Sequence, residues 1–589
     1  QYIAFNVKND FEDDIYIYHL PTKKLTNYTQ TGVTESSPFW GPDGKYLYFV
    51  SNRTKPSYPF GLEDGRVYRV PLSRQEEGFK SDKLDEVFEK DKKSDSSKVA
   101  VKIDFDQNWL RNLERISPNF GTQSNPNVIK SGDKTYVIYS SNHDENQRGL
   151  WMTTLEDFER NKTEKIAGSN RASSEILAVK KNHYLINGGS ISKLNLSQNK
   201  LTDIETDFTF RKSLRNEFDQ MYDETWAGIE ENFYNETFHG ADWAKLKTQY
   251  AQFLPHVKSR AELRVLLNDL LGELNSSHMG FNSGGGEERT YYNTQSLNLG
   301  VLFSNENPYE IAKVVSEGPS DYSDKNIRKG DVITSINGEA INPKMNREYY
   351  LSKPSVDEEI TLGIKRGKEE LEVKVHPSSM GALRNNLYDE WIDDNQKRVD
   401  EATKDQVAYV HMKNMSTGSL EDFLIEMTSE GYNRDGLILD LRYNTGGNVH
   451  DEVLKFLSQK PYLKWKFREG KLTTQANFGA GAKPMVLLIN EQSLSDAEMT
   501  AAGFKELGLG KIIGTETYRW IIFTSSARLV DGSSYRLPSW GCYTMDGQNL
   551  ESEGVSPDIL VNMNFKDRLT GKDPQLDRAI EEVMKQIKN

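Results

Sequence analysis

The sequence predicts a multidomain protein in which antiparallel β repeats, a short helical stretch, a compact β-rich unit and a layered α/β domain follow one another. Three observations predict it: the chain length, a strand-pair unit that recurs through residues 1–207, and two later changes of hydrophobic period. At 589 residues the chain exceeds what one hydrophobic core supports, so roughly three to five domains are expected. A content of 36% hydrophobic, 11% aromatic and 28% charged residues is that of folded protein rather than a disordered chain. The net charge of -14 opposes broad binding to nucleic acid or anionic membranes, and no nucleic-acid partner is expected.

Residues 1–207 alternate short apolar strands with turn residues, as in YIAFNV (2–7), KYLYFVS (45–51) and TYVIYSS (135–141). The unit SSPFWGPDGKYLYFVSNR then GRVYRVPL returns loosely as SNPNVIKSGDKTYVIYSSN then RGLWMTTL, and again as SSEILAVKKNHYLING then SISKLNL. A period of about 40 to 50 residues with several strands each predicts blades of a β-propeller, and roughly four fit here, a partial ring. The start at Gln1, without an initiator Met or a signal segment, predicts a processed or incomplete N-terminus with more of the ring upstream. The charged stretch 73–98 is expected to be a solvated insertion.

Between 208 and 294 the period becomes helical: Phe218, Tyr222, Trp226, Ile229 and Phe233 recur at three- and four-residue steps. SRAELRVLLNDLLGEL (259–274) predicts a second helix, with Ser259 as N-cap and Glu262 completing a capping box, ending just before Ser276, Ser277 and His278. Residues 295–378 are β-rich, with IRKGDVITSINGEAI supplying a strand and an Asn-Gly hairpin. This unit resembles a PDZ domain. The resemblance implies peptide binding by the backbone of NLGV (298–301), at Leu299 and Gly300.

From 379 to 589 strands alternate with helices, from VAYVHM through GLILDLR, PMVLLIN and KIIGT to the closing helix LDRAIEEVMKQIK. Such alternation predicts an α/β layer fold with buried parallel strands and chemistry at their C-terminal ends. In PMVLLINEQSLSDAEMTAAGFKE (484–506) a buried strand turns and opens a helix at Ser493 to Ser495, where free amides stabilise an oxyanion. Taken alone, this is what any serine N-cap looks like.

LDLRYNTGG (439–447), NEQSLSDAEM (490–499) and LESEGVSPDI (550–559) are similar, in order and spacing, to the tricorn and C-terminal processing peptidases. That resemblance implies a crotonase-like α/β catalytic domain with Ser495 as nucleophile. It implies Asp496 as one oxyanion amide, and either Gly446 or Gly447 as the other. The processing branch uses a lysine base, but Lys505 lies nearly three turns along the helix from Ser495, too far to reach it. The helical segment 226–281 resembles that of the tricorn branch, which implies His278 as base, oriented by Ser277, with Glu551 engaging Ser277 in a tetrad. Glu553 sits two positions off that motif.

GTETYRWIIFTSS (514–526) replaces the family's glycine-rich strand with bulky residues, and KPYLKWKFREG (460–470) is basic where an acidic specificity residue would stand. P1 preference is therefore not carried over. The resemblance further implies ATP-independent hydrolysis of peptides or unfolded polypeptides through an acyl-enzyme, and assembly into a homo-oligomer, a hexamer. The rival reading is a noncatalytic peptide-binding scaffold. A crotonase-type enzyme acting on thioesters is a third.

No HExxH pair or phosphate loop occurs, so no metal or other cofactor is expected. The acidic run Asp10, Glu12, Asp13 and Asp14 reads as a solvated loop. Cys542, alone, excludes an intramolecular disulfide. With no apolar run of about 18 residues, no membrane span is expected. The setting is cytoplasmic or periplasmic, with the cell envelope preferred.

Overall fold

The computed structural model describes residues 1–9, 12–56, 64–73, 101–106, 108–144, 147–156, 159–207, 209, 211–285, 288, 295–354, 356–474, 479–480 and 482–588. Most of the charged stretch 73–98 lies outside them. The chain divides into two compact units, Gln1–Arg211 and Lys212–Asn589.

The first unit is built of consecutive antiparallel sheets. Tyr2–Asn9, Glu12–His19 and Lys24–Asn27 form one; Glu35–Trp40, Tyr46–Ser51, Arg66–Pro71 and Glu114–Arg115 the next. Gln123–Ser131, Lys134–Asp144, Gln147–Leu155 and Lys162–Lys165 form the third, and Leu177–Val179, Asn182–Asn187, Ser190–Asn195 and Lys200–Ile204 the fourth. Strand alternation explains the stacking. Leu47 and Phe49 face Ile15 and Ile17 of the first sheet, while Tyr48 and Val50 pack against Val128, Val137 and Tyr139 of the third. Ile138, Leu150 and Met152 in turn pack on Leu185 and Leu194 of the fourth. Asp14 is buried and accepts from Asn27 Nδ2 (2.7 Å) and Thr29 Oγ1 (3.0 Å), so it braces a turn. Among the described residues no cluster of side chains could hold a metal ion.

In the second unit, helices Leu214–Asn232, Trp243–Ala251 and Arg260–Gly272 pack around Phe218, Tyr222, Ile229, Leu263, Leu267 and Leu271. The capping box expected at Ser259 forms by half. Ser259 Oγ accepts from the N–H of Glu262, but the Glu262 carboxylate reaches one residue further back, to the N–H of Lys258 (2.6 Å). Beyond these helices Glu339–Ala340, Val332–Ile336, Ile360–Arg366 and Glu369–Val375 form an antiparallel sheet. Its hairpin turns at Asn337 and Gly338, both with positive φ, as an Asn-Gly turn requires. Leu299 is buried, and the Gly300 N–H donates to Asn298 Oδ1 (2.6 Å). A Cβ at Gly300 would meet Pro319 at 2.6 Å, so close packing requires this glycine.

The remaining core is a parallel sheet ordered Val407–His411, Gly436–Asp440, Met485–Ile489, Lys511–Gly514, Ile559–Leu560. Alternate residues serve opposite faces. Leu437, Leu439, Leu487 and Ile489 pack with helices His450–Ser458 and Asp496–Glu506; Tyr409, Ile438, Val486 and Leu488 pack with Met380–Thr403 and Pro574–Lys588. Helix Met380–Thr403 has no counterpart in the sequence pattern: it buries only Leu383, Asn395, Val399 and Thr403 and shows no continuous apolar stripe. Just past the strand Gly436–Asp440, Arg442 is fully buried between Asp440 (Nη2 to Oδ2, 2.7 Å) and Asp573 (Nη1 to Oδ2, 2.9 Å). That ion cluster pins the base of the glycine loop to the helix Pro574–Lys588. No helix among the described residues is long and apolar enough to cross a membrane.

Candidate active site

Strand Met485–Ile489 ends at Asn490, and the chain turns so that Ser495 caps the helix Asp496–Glu506. Ser493 is fully buried; its hydroxyl donates to Leu441 O (2.8 Å) and accepts from the Asn490 N–H (3.0 Å), a purely structural assignment. Ser495 is half-buried with φ 54° and ψ -118°, outside the regions L-residues favour. Its N–H donates to Glu498 Oε1 (3.1 Å). Glu498 is itself buried and accepts from Thr517 Oγ1 (2.6 Å), Arg519 N (2.9 Å) and Trp520 N (2.8 Å). Burial raises its carboxyl above the ordinary value, and these donors oppose the rise. Glu498 thus ties the turn carrying Ser495 to the loop 517–520. Sequence reasoning missed it, although SDAE places a glutamate three residues after the cap.

The glycine loop lies against the serine. A Cβ on Gly446 would sit 2.6 Å from Ser495 Cβ and 3.3 Å from Asp496 N. The Gly446 N–H is taken by Asn444 Oδ1 (2.8 Å), and Gly446 is buried, whereas Gly447 is exposed. Among the described residues neither Gly447 N–H nor Asp496 N–H has a hydrogen-bond acceptor. The Asp496 carboxylate accepts from Val449 N (2.7 Å) and His450 N (3.1 Å), locking the glycine loop to the helix Asp496–Glu506. His450 Nδ1 lies 2.6 Å from Asp496 Oδ1. Burial pulls this imidazole down, but the carboxylate overrides it and leaves it raised.

His278 arrives from the helical segment. It follows helix Arg260–Gly272, and the strand Phe281–Asn282 pairs with Ser534–Gly541 of the catalytic domain, with Phe281 opposite Tyr535. His278 itself has φ 57°, in the left-handed region. Its Nε2 lies 3.2 Å from Trp520 O, its ring packs on the Trp520 indole at 4.8 Å, and the Arg536 guanidinium stands 3.5 Å from Nδ1. Among the described residues no hydrogen bond joins His278 to Ser495. Burial first, then the Arg536 charge, holds the imidazole below its ordinary value, with the Trp520 carbonyl and Glu551 opposing.

Glu551 meets the same turn. Oε1 accepts from the Ser277 N–H (2.6 Å) and from Ser276 Oγ (3.1 Å), and Oε2 accepts from Tyr234 Oη (2.6 Å). Glu551 therefore engages Ser277 through the main chain, while the hydroxyl that reaches it belongs to Ser276. The Ser277 hydroxyl is buried without a partner among the described residues. Glu553 is exposed and paired with Gln548, away from this turn, and Lys505 Nζ donates to Ser556 O (3.2 Å).

A Cβ on Gly447 would lie 2.1 Å from Met415 O. Gly447→Ala is therefore expected to displace the loop 446–449, which meets Ser495 at Gly446, and to slow acylation by an activated acyl probe on the order of 10²- to 10³-fold. Stopped-flow acylation beside a thermal melt checks it: a wild-type rate would mean that the loop takes no part.

Residues 406–561 match peptidase family S41, residues 214–272 the tricorn protease C1 domain and residues 298–376 the PDZ domain. The tricorn protease of Thermoplasma acidophilum is 28% identical over 391 residues, covering 64% of this chain and 36% of its own length. A tricorn protease homolog of Saccharolobus solfataricus is 27% identical over 624 aligned positions, 98% of this chain and 55% of its own. Among solved structures, the crystal structure of the tricorn protease superposes with a TM-score of 0.74 at 22% identity, over 100% of this chain and 59% of that one, a likeness of fold. The chain thus spans about a third to three fifths of these proteins. The kind and order of the matched segments, with these relatives, make the chain similar to tricorn proteases, with residues 406–561 as the segment that matches peptidase family S41.

Proposed function

We propose that Ser495 is the nucleophile of a peptide hydrolase acting through an acyl-enzyme, with His278 as base, Ser277 and Glu551 as its supports, and the N–H groups of Gly447 and Asp496 as the oxyanion hole. One observation carries the reading: a serine at a helix start, in a strained conformation and against the glycine loop, with the N–H groups of Gly447 and Asp496 lacking acceptors among the described residues. The carbonyl oxygen of a bound peptide accepts from both amides as Ser495 Oγ attacks and the leaving amine takes its proton from His278. Gly446 contributes space rather than a donor.

For this, His278 Nε2 exchanges the Trp520 carbonyl for Ser495 Oγ. Such hydrogen bonds commonly form only with substrate in place. In the resting arrangement Nε2–H donates to Trp520 O and Nδ1 faces Arg536; the working tautomer carries its proton on Nδ1. The orphaned Ser277 hydroxyl is the nearest group in sequence able to receive it.

Because the base works neutral, its lowered pKa extends activity to lower pH. Replacing Arg536 by Gln removes a like charge and raises the His278 pKa, so the ascending limb of the rate–pH profile should move to higher pH. An unmoved limb would show that His278 does not govern it.

The stacked sheets of residues 1–207, each sharing faces with its neighbours, support blades of a partial β-propeller, which together with the PDZ unit would hold peptides or unfolded polypeptides. At Leu299 and Gly300 this needs Gly300 to exchange its bond to Asn298 for a terminal carboxylate. Homo-oligomerisation, as a hexamer, ATP-independence and a place in the cell envelope complete the proposal, and native mass and fractionation test them. The core test is fluorophosphonate labelling with peptide mapping. Modification at Ser495 supports the peptidase; folded protein that resists labelling favours the noncatalytic scaffold, and turnover of acyl-thioesters without peptide cleavage favours the third reading.

A further inference from the structure

The hydrogen bonds behind Glu551 continue outward for two more residues. Tyr234, just past helix Leu214–Asn232, is 2.6 Å from Glu551 Oε2 and 2.7 Å from His239 Nε2. His239 Nδ1 is in turn 2.8 Å from Leu274 O, at the end of the helix that leads to His278. The Tyr234 ring fits against Gly541, where a Cβ would lie 2.9 Å from its edge, and the Tyr234 N–H is held by Pro538 O (3.1 Å).

Counting protons fixes the direction of these bonds. A main-chain carbonyl only accepts, so Nδ1 carries a proton. A carboxylate only accepts, and Glu551 Oε1 already takes two donors, so the tyrosine hydrogen points to Oε2. Tyr234 Oη therefore sits between the carboxylate and the His239 Nε2. Burial and the Glu551 charge push the Tyr234 hydroxyl pKa up, which keeps its proton in place.

We propose that Tyr234 and His239 are positioning residues of the catalytic site: His239, held by Leu274 O, holds Tyr234, Tyr234 donates to Glu551, and the carboxylate is thereby fixed beneath the Ser276–His278 turn. This rests on the reading of Glu551 as a support for His278. The chain of bonds touches no substrate. It acts through Glu551, whose other contacts are the main-chain N–H of Ser277 and the Ser276 hydroxyl. Around His239 the described contacts are Tyr234, Leu274 O, the Phe233 ring and Asn235 Oδ1, which accepts from its main-chain N–H; beyond Tyr234 stand Glu551, Asn549 and Tyr543.

The experiment is fluorophosphonate acylation of the full chain, for wild type, Tyr234→Phe, His239→Ala and His239→Gln, with peptide kcat and KM measured beside it. Tyr234→Phe should acylate about tenfold to a hundredfold more slowly, with KM little changed. His239→Ala should slow acylation in the same way, and His239→Gln, whose amide can still meet Tyr234, should restore it. Wild-type rates in Tyr234→Phe and His239→Ala would overturn the proposal, as would a loss of thermal stability with no change in acylation rate. If wild type is not acylated at Ser495, the peptidase reading fails, whereas a Tyr234→Phe variant acylated at Ser495 at the wild-type rate sinks this proposal alone.

Discussion

Ser495→Ala is expected to abolish fluorophosphonate labelling and to lower peptide hydrolysis on the order of a millionfold, while leaving the fold intact. The size is that of covalent catalysis: without Oγ no acyl-enzyme forms, and only the oxyanion donors and substrate binding remain to act on a water molecule. The fold should survive because only an oxygen is removed from a half-buried side chain whose neighbours are held by other means. Glu498 keeps the Ser495 N–H, and Asp496 keeps Val449 N and His450 N. The informative comparison is Ser493→Ala. Its hydroxyl links Leu441 O to Asn490 N, so this change should cost about 1 kcal/mol or somewhat more in stability and leave labelling chemistry in place. Chemical denaturation of both variants beside active-site titration checks the pair. Labelling that survives Ser495→Ala would move the nucleophile elsewhere.

His278→Gln is expected to lower kcat/KM on the order of 10⁴- to 10⁶-fold, nearly as much as loss of the nucleophile, because residues of one proton-transfer unit fail together. Glutamine keeps an amide that donates to Trp520 O, so the resting packing of the loop should persist while the base is lost. The rate–pH profile separates a base from a prop. In the variant the ascending limb assigned to His278 should vanish and the residual rate should rise with hydroxide alone. A limb that remained would belong to another group, with His450, beside Asp496, the first to examine.

Much of this arrangement can be read from the sequence because it is carried by patterns with a mechanical cause. The run PMVLLIN must be a buried strand, and the polar residues after it must turn and open a helix, which starts at Asp496. The helical period from Phe218 onward marks the helices that lead to His278. Other features depend on where main-chain groups point, which residue types barely encode. Gly446 and Gly447 are the same residue in sequence, yet one amide is consumed by Asn444 and the other is open. Ser276 and Ser277 differ in which of them sends a hydroxyl to Glu551 and which a backbone N–H. Trp520 meets His278 through its carbonyl as well as its ring, so its identity predicts only part of the contact. Helix Met380–Thr403 escapes the hydrophobic pattern because, beside its few apolar contacts to the sheet, it docks through charged and polar ones, with Glu390 accepting from Lys313 Nζ (2.6 Å) and the Ser316 N–H (2.8 Å).

The backbone at Ser495 and at His278 has positive φ. Each such residue costs on the order of 1 to 3 kcal/mol relative to a relaxed conformation. A search for sequences that merely stabilise this backbone would therefore discard both, preferring glycine at 495 and glycine or asparagine at 278. The two side chains proposed to carry the chemistry are those that conformational preference alone would remove. A thermostability redesign of this chain by backbone preference would lose the proposed chemistry at these positions first.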